Sequence, residues 1–239
     1  MNSAPFSTRG LFVTGSDTGV GKTYVACEMI RRLIERGRSV GAYKPVVSGA
    51  ETAADGSLVW DDVEKLCAAL RRPDWHERVA PQRFRAALSP PAAAAAEGRR
   101  VDSRRLREGA GWWKGRVEFL VVEGTGGWLS PASDDDLVAD LARDLGCPVL
   151  IVSRLGLGAI NQALLVAESV RARGLRAAGI VLNAQAADVD DPAARSNPAE
   201  LARWTDVPIV AVTRRSAAPR ADFERLLAEE IEALFGPIL

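Results

Sequence analysis

Short apolar runs recur along the chain, separated by amphipathic stretches. Six of them read as buried parallel strands: Leu11–Thr14, Ser39–Tyr43, Val117–Val122, Pro148–Val152, Ala178–Leu182 and Pro208–Val212. Ala26, Met29, Ile30, Leu33 and Ile34 share one helical face, and Gly37 stands where such a helix would end. Ile160, Ala163, Leu164 and Ala167 repeat the pattern ahead of Gly174, and Phe223, Leu226, Leu227, Ile231 and Leu234 mark a C-terminal helix. Strands alternating with helices imply an α/β fold with a doubly wound, mostly parallel sheet. Ligands of such sheets sit at the carboxyl ends of the strands.

Two stretches depart from this rhythm. Residues 50–110, with an alanine tract at Ala92–Ala96, read as helices and loops packed over the sheet rather than as a second domain. Residues 184–197 carry no apolar periodicity and read as a mobile surface loop. A single domain spanning 1–239 is expected, since a chain of 239 residues with 47% hydrophobic content can bury one sizeable core.

Charge narrows the function classes. Lysine plus arginine equals aspartate plus glutamate at 31 each, which argues against a nucleic-acid platform. Cys27, Cys67 and Cys147 are widely spaced and form no metal or redox motif, so reduced thiols in a cytoplasmic protein are expected. Residues 1–9 hold no apolar leader core and no 18-residue apolar run occurs, so neither export nor membrane insertion is expected.

The candidate chemistry lies where strands end. Leu11–Thr14 runs into Gly15-Ser16-Asp17-Thr18-Gly19-Val20-Gly21-Lys22-Thr23 and then into a helix. Glycines let backbone N–H groups converge on an anion, and the helix N-terminus adds partial positive charge. Lys22 would reach the outer phosphates and the Thr23 hydroxyl would ligate Mg²⁺. The spacing departs from the strict P-loop pattern: five residues, not four, separate Gly15 from Gly21. Lys44 follows the second strand, and Pro45 disfavours helix at that point. Only four of the 31 basic residues are lysines (22, 44, 65 and 114), so a chain that prefers arginine keeps compact ammonium groups at two strand ends. Glu123, at the tip of the third strand and ahead of Gly124-Thr125-Gly126-Gly127, stands where a Mg²⁺ ligand usually does. Asp61-Asp62 alone reads as a helix start, and Asp134-Asp135-Asp136 as a cap and solvated face. His76, the only histidine, reads as structural or exposed, and Trp112-Trp113 as packing.

Together these segments resemble the dethiobiotin synthetase family, a P-loop NTPase architecture. The resemblance rests on Thr14 to Thr23, on Lys44-Pro45-Val46-Val47-Ser48-Gly49, on Val122-Glu123-Gly124-Thr125-Gly126-Gly127, on Leu157-Gly158-Ala159-Ile160-Asn161 and on Asn183. It implies that Gly19, Val20, Gly21, Lys22, Thr23 and Tyr24 hold the nucleotide phosphates, joined by Gly124, Thr125 and Gly126. It implies Mg²⁺ on Thr23, Glu123 and an aspartate matching Asp62 rather than Asp61. Lys44 would be the catalytic lysine with Lys22 beside it, Ser48 would contact the diamine, Asn161 the substrate carboxylate across a homodimer interface, and Asn183 the adenine. The implied reaction joins 7,8-diaminononanoate, CO₂ and ATP into dethiobiotin. Three features differ from the family: Gln162 follows Asn161 in place of His, no tyrosine follows Asn183 in the next loop, and Pro208–Arg214 replaces a Gly-x-Ile/Leu-Pro segment near the base. Two other readings share the P-loop variant. An amide ligase of cobalamin synthesis would need a glutaminase domain for which this chain is too short. A partitioning-type ATPase switch would show a second P-loop lysine near Gly15 and an amphipathic tail or basic surface, and neither is apparent.

Overall fold

A computed structural model describes residues 9–184 and 191–213. The expected C-terminal helix over Phe223–Leu234 lies outside them. All six expected strands are present and form one six-stranded parallel sheet: β1 (Arg9–Gly15), β2 (Val40–Tyr43), β7 (Phe119–Glu123), β8 (Val149–Arg154), β9 (Ala177–Ala184) and β10 (Ile209–Thr213). Their order is β10-β9-β8-β1-β7-β2. The chain therefore starts near the middle and extends the sheet in both directions, which makes it doubly wound. β2 and β7 are buried at every residue, and β1, β8 and β9 at all but one end residue. That is why they read as continuous apolar runs without alternation.

Smaller elements fill the insertion between β2 and β7. They are β3 (Val47–Ser48), β4 (Glu51–Thr52), β5 (Leu58–Val59), α2 (Asp61–Ala69), α3 (His76–Val79), β6 (Arg83–Phe84), α4 (Pro90–Ala96) and α5 (Ser103–Gly111). The two-residue strands pair as β3–β6 and β4–β5. Residues 50–110 thus hold the expected helices and loops, and in addition the short strands β4, β5 and β6; α2 packs on α1 (Lys22–Glu35), and α3 on β2. Trp113 is fully buried and meets Trp75 and Trp112 at centroid distances of 5.5 and 4.9 Å, a packing role as expected. His76 sits half-buried, its Nε2 2.8 Å from Glu64.

Helix α1 buries Ala26, Met29, Ile30 and Leu33. It stops because Gly37 takes φ 76°, which lets Gly37 N donate to Ile34 O and Arg38 N to Leu33 O. The same pair of bonds ends α7 (Ala159–Ala172) beyond Arg173.

Two expectations are corrected. Residues 192–197 are not loop: they belong to α8 (Pro192–Leu201), which Asp191 caps by accepting from Ala193 N, and Asn197 is buried and donates to Gly156 O at 2.6 Å. Ala184, likewise, ends β9 and is buried. The helix escapes a periodicity reading because only Asn197 and Leu201 are buried along it. Asp134–Asp136 caps nothing: α6 (Val138–Leu145) starts later, with Asp140 accepting from Leu137 N. Asp136 instead pairs with Arg107 and accepts from Ser133. Among the described residues no helix is long and apolar enough to cross a membrane.

Candidate active site

The carboxyl ends of β1, β7 and β2 lie side by side, because these strands are neighbours in the sheet. The register pairs Val13 with Glu123 and Tyr43 with Val122. Three sequence-distant segments thus deliver the loop 15–21, Glu123 and Lys44 to one place. Beside them α2 contributes its first turn, held there by its packing on α1.

The loop after β1 is fixed from several sides. Ser16 N donates to Val152 O at 2.8 Å, and Trp128 N donates to Gly15 O at 3.0 Å. Gly21 takes φ 96° at the start of α1, a left-handed conformation that a side chain would strain. Lys22 Nζ donates to the Asp17 carbonyl at 3.0 Å. Burial pushes the Lys22 pKa down to about 8; the charge of Lys44 adds to that push, while Glu123 and Asp62 oppose it. A further negative partner, such as a phosphate, would favour its charged form.

Lys44 is 2% exposed, and its Nζ lies 2.6 Å from Glu123 Oε1 and 2.7 Å from Asp62 Oδ2. Burial works against its charge, but the two carboxylates outweigh burial and hold its pKa above the usual lysine range. Lys44 also lowers the Asp62 pKa against the opposing effect of burial. Its backbone N–H donates to Val79 O at 2.7 Å, just past the end of β2.

Thr23 Oγ1 lies 2.7 Å from Asp62 Oδ1 and 2.8 Å from Glu123 Oε1, its single proton shared between two carboxylates. Asp61 points elsewhere and pairs with Lys65 on the same helix. Glu123 is 1% exposed, and its Oε2 is buried with no protein partner. Two carboxylates and a hydroxyl make an all-oxygen donor set that suits a hard cation such as Mg²⁺, with phosphate oxygens and water completing the shell. Among the described residues no group of three His, Cys, Asp or Glu offers a different metal site. The donor set and the unpartnered Glu123 oxygen both fit the expected ion.

A cavity of ≈ 950 Å³ opens over this cluster. Lys22, Thr23, Tyr24, Lys44, Asp62 and Glu123 line it, with Gly19, Gly21, Thr125 and Gly126 of the two glycine-rich loops. Ser48 also lines it, donating to Leu88 O at 2.6 Å. Sequence reasoning missed the apolar wall at Ala87, Leu88, Pro90 and Pro131. It also missed Ser130, whose Oγ accepts from Gly127 N and shapes the second loop. Nothing in the composition of those stretches distinguishes them from surface turns. Cys27 lines the cavity too, its thiol pushed up to about 12 by burial, which makes it a poor nucleophile.

Four expected site residues stand apart from the cavity wall. Val20 and Gly124 are buried behind it. Asn183, on β9, is fully buried and donates through Nδ2 to Val20 O at 2.8 Å. Asn161 is exposed on the first turn of α7, near exposed Leu157 and Leu165.

A family model described as an AAA domain matches residues 9–215. The ATP-dependent dethiobiotin synthetase BioD of Rhodopirellula baltica is 40% identical over 222 residues, covering 89% of this chain and 86% of the relative. That of Anaeromyxobacter dehalogenans is 46% identical over 197 residues, covering 82% and 86%. Among solved structures, the septum site-determining protein MinD of Pyrococcus horikoshii, complexed with Mg-ADP, superposes with a TM-score of 0.59 at 19% identity, covering 97% of this chain and 99% of MinD. Cobyrinic acid a,c-diamide synthase of Mycobacterium smegmatis, with bound ATP analog and magnesium, gives 0.52 at 17% identity, covering 97% and 98%. At such identities the two structures share the fold alone with this chain. The sequence relatives go further: their similarity runs over most of both partners, and the chain belongs to the ATP-dependent dethiobiotin synthetase family.

Proposed function

We propose that the chain converts 7,8-diaminononanoate, CO₂ and ATP into dethiobiotin, ADP and phosphate, as a single ATPase-like domain in the cytoplasm. The observation that carries this reading is the meeting of Lys44, Thr23, Asp62 and Glu123 beneath the phosphate loop, in a cavity that also has an apolar wall. Polar groups suit the triphosphate and the amines, and the wall suits the alkyl chain of the substrate. The three cysteines are buried and free, in keeping with a reducing compartment.

In the first step an amine of the substrate attacks CO₂, forms a C–N bond and loses a proton, leaving a carbamate. A carbamate oxygen then attacks the γ-phosphorus of ATP, and ADP departs. The second amine attacks the carbamoyl carbon, closes the five-membered ring and releases phosphate and a proton. No side-chain nucleophile is required. The protein positions the reactants and stabilises charge on oxygen as it shifts during transfer. Lys22, Lys44 and the amides of Gly19 to Thr23 supply that stabilisation. Mg²⁺, held by Thr23, Asp62 and Glu123, would neutralise phosphate charge when bound. Tyr24 and the second glycine-rich loop, Gly124 to Gly126, border the nucleotide, and Asn183 offers Oδ1 as an acceptor for the adenine amino group. Ser48 meets the diamine.

We further propose a homodimer in which Asn161 of one copy reaches the substrate carboxylate bound to the other. Leu157, 93% exposed, and Leu165 flank Asn161 and would be covered by such a contact. The test of the reaction is incubation with the diamine, ¹³C-bicarbonate and MgATP, followed by mass spectrometry. Dethiobiotin carrying one ¹³C, with one ADP formed per product, supports the proposal. ATP hydrolysis indifferent to the diamine overturns it.

A further inference from the structure

Asn183 is 0% exposed, and its two side-chain polar atoms fare differently. Nδ2 donates to the Val20 carbonyl at 2.8 Å, joining two residues 163 positions apart. Oδ1 is buried with no protein partner. A buried amide left half-satisfied destabilises the fold relative to an apolar residue of similar size, so its presence calls for a reason beyond packing. The backbone of Asn183 cannot follow the side chain away from the loop. It pairs with Arg154 of β8 on one side and Val212 of β10 on the other, and its carbonyl accepts from Leu155 N. The contact is also close. A Cβ on Gly21 would lie 2.1 Å from Asn183 Nδ2, so the left-handed glycine and the asparagine are fitted to each other.

We infer that Asn183 is a positioning residue for the phosphate loop: by holding the Val20 carbonyl it fixes the turn at Gly21, and so the aim of Lys22 and Thr23, which follow directly. This role is separate from any contact of Oδ1 with the base. It makes triphosphate affinity depend on a residue of β9, two strands away from β1 in the sheet and outside the cavity wall. The inference rests on the loop being the phosphate site, and not on which acceptor receives the phosphoryl group.

Binding of ATP, GTP and inorganic tripolyphosphate to the wild type, Asn183→Ala and Asn183→Asp, measured by calorimetry in the presence of Mg²⁺, separates the roles. Both variants lack the donor. Each should therefore lose affinity for all three ligands, tripolyphosphate included, by roughly threefold to tenfold, the worth of one net hydrogen bond. Unchanged tripolyphosphate affinity, with ATP falling toward GTP, would make Asn183 a base reader only and overturn the inference. If both variants fail to fold, nuclear magnetic resonance of the wild type decides. Slowly exchanging Asn183 side-chain amide protons with Overhauser contacts to Val20 or Gly21 support the role, and rapid exchange without such contacts refutes it. Because tripolyphosphate binding involves neither diamine nor CO₂, a chain that binds it normally and makes no dethiobiotin counts against the reaction alone.

Discussion

The two ends of the candidate site are built differently. At the phosphate end Lys22, Lys44 and Glu123 are buried, and the polar contacts among Lys44, Thr23, Asp62 and Glu123 span 2.6–2.8 Å. At the other end Leu88 is exposed on the cavity wall, Ser48 donates to a backbone carbonyl, and Asn161 is exposed on α7 apart from the cavity. The first set hangs from adjacent strand ends and is organised within one chain. The second sits on turns and a helix start. Pre-organised charge lowers barriers because nothing must rearrange when the reaction charge develops. Rim contacts mainly tune affinity. Variants at the two ends should therefore differ in which kinetic constant they move.

The largest effect belongs to Lys44. Lys44→Gln should cut dethiobiotin formation by about a hundredfold to a thousandfold, as loss of one charge-stabilising donor typically does, with a much smaller change in ATP affinity. Lys44→Arg should rescue poorly, because a planar fork cannot occupy the point between Glu123 and Asp62. Steady-state product formation and equilibrium ATP binding on both variants check this; near-normal turnover in Lys44→Gln would make the phosphate end no more catalytic than the rim.

Next comes the pair Asp61 and Asp62. Asp62→Asn should raise the Mg²⁺ concentration needed for half-maximal rate by roughly tenfold or more, and Asp61→Asn should leave it nearly unchanged, because only Asp62 meets Thr23 and Lys44. Mg²⁺ titrations of the two variants settle the assignment, and a larger effect at Asp61 would reverse it.

Lys22 gives a pH signature of similar size. Burial holds its pKa in the free protein at about 8, below the ordinary lysine value of about 10.5, so its charge is lost as pH rises through 8. If only the ammonium form grips the triphosphate, ATP affinity should fall about tenfold between pH 7 and pH 9, with proton uptake on binding near pH 8. The same shift has the opposite sign for folding. Between about 8 and 10.5 the unfolded chain holds more protons at this lysine, so its contribution to stability improves as pH rises across that window. Calorimetry in buffers of different ionisation enthalpy measures the uptake, and Lys22→Ala should abolish it.

The smallest effect on the chemical step is expected at the rim. Leu165→Asp should dissociate the proposed homodimer and raise KM for the diamine several-fold while leaving ATP binding intact. Light scattering and kinetics together test it: a monomeric wild type with full activity would remove the dimer from the account.

The same contrast explains what the sequence could disclose. All six strands are legible as apolar runs, five of them because they are buried on both faces, and the residues at their tips, Lys44 and Glu123, come with them. Asp62 was harder. Its neighbour Asp61 is equally suited to a helix start, and only the packing of α2 on α1 selects between them. The two-residue strands β3 to β6 are too short for any periodicity to show. Helix α8 leaves no periodic signal, because it buries only two residues and carries Pro198 within it. The pin from Asn183 to Val20 joins elements far apart in sequence and leaves no local pattern.

The account stands on phosphoryl transfer to a carbamate oxygen, and oxygen tracing tests that most directly. With C¹⁸O₂ supplied fresh alongside the diamine and MgATP, the carbamate oxygen that attacks the γ-phosphorus leaves with the phosphate when the ring closes. The inorganic phosphate should therefore carry one ¹⁸O per dethiobiotin formed, and the ureido carbonyl should keep the other. Phosphate free of ¹⁸O, with dethiobiotin still produced, would contradict the account.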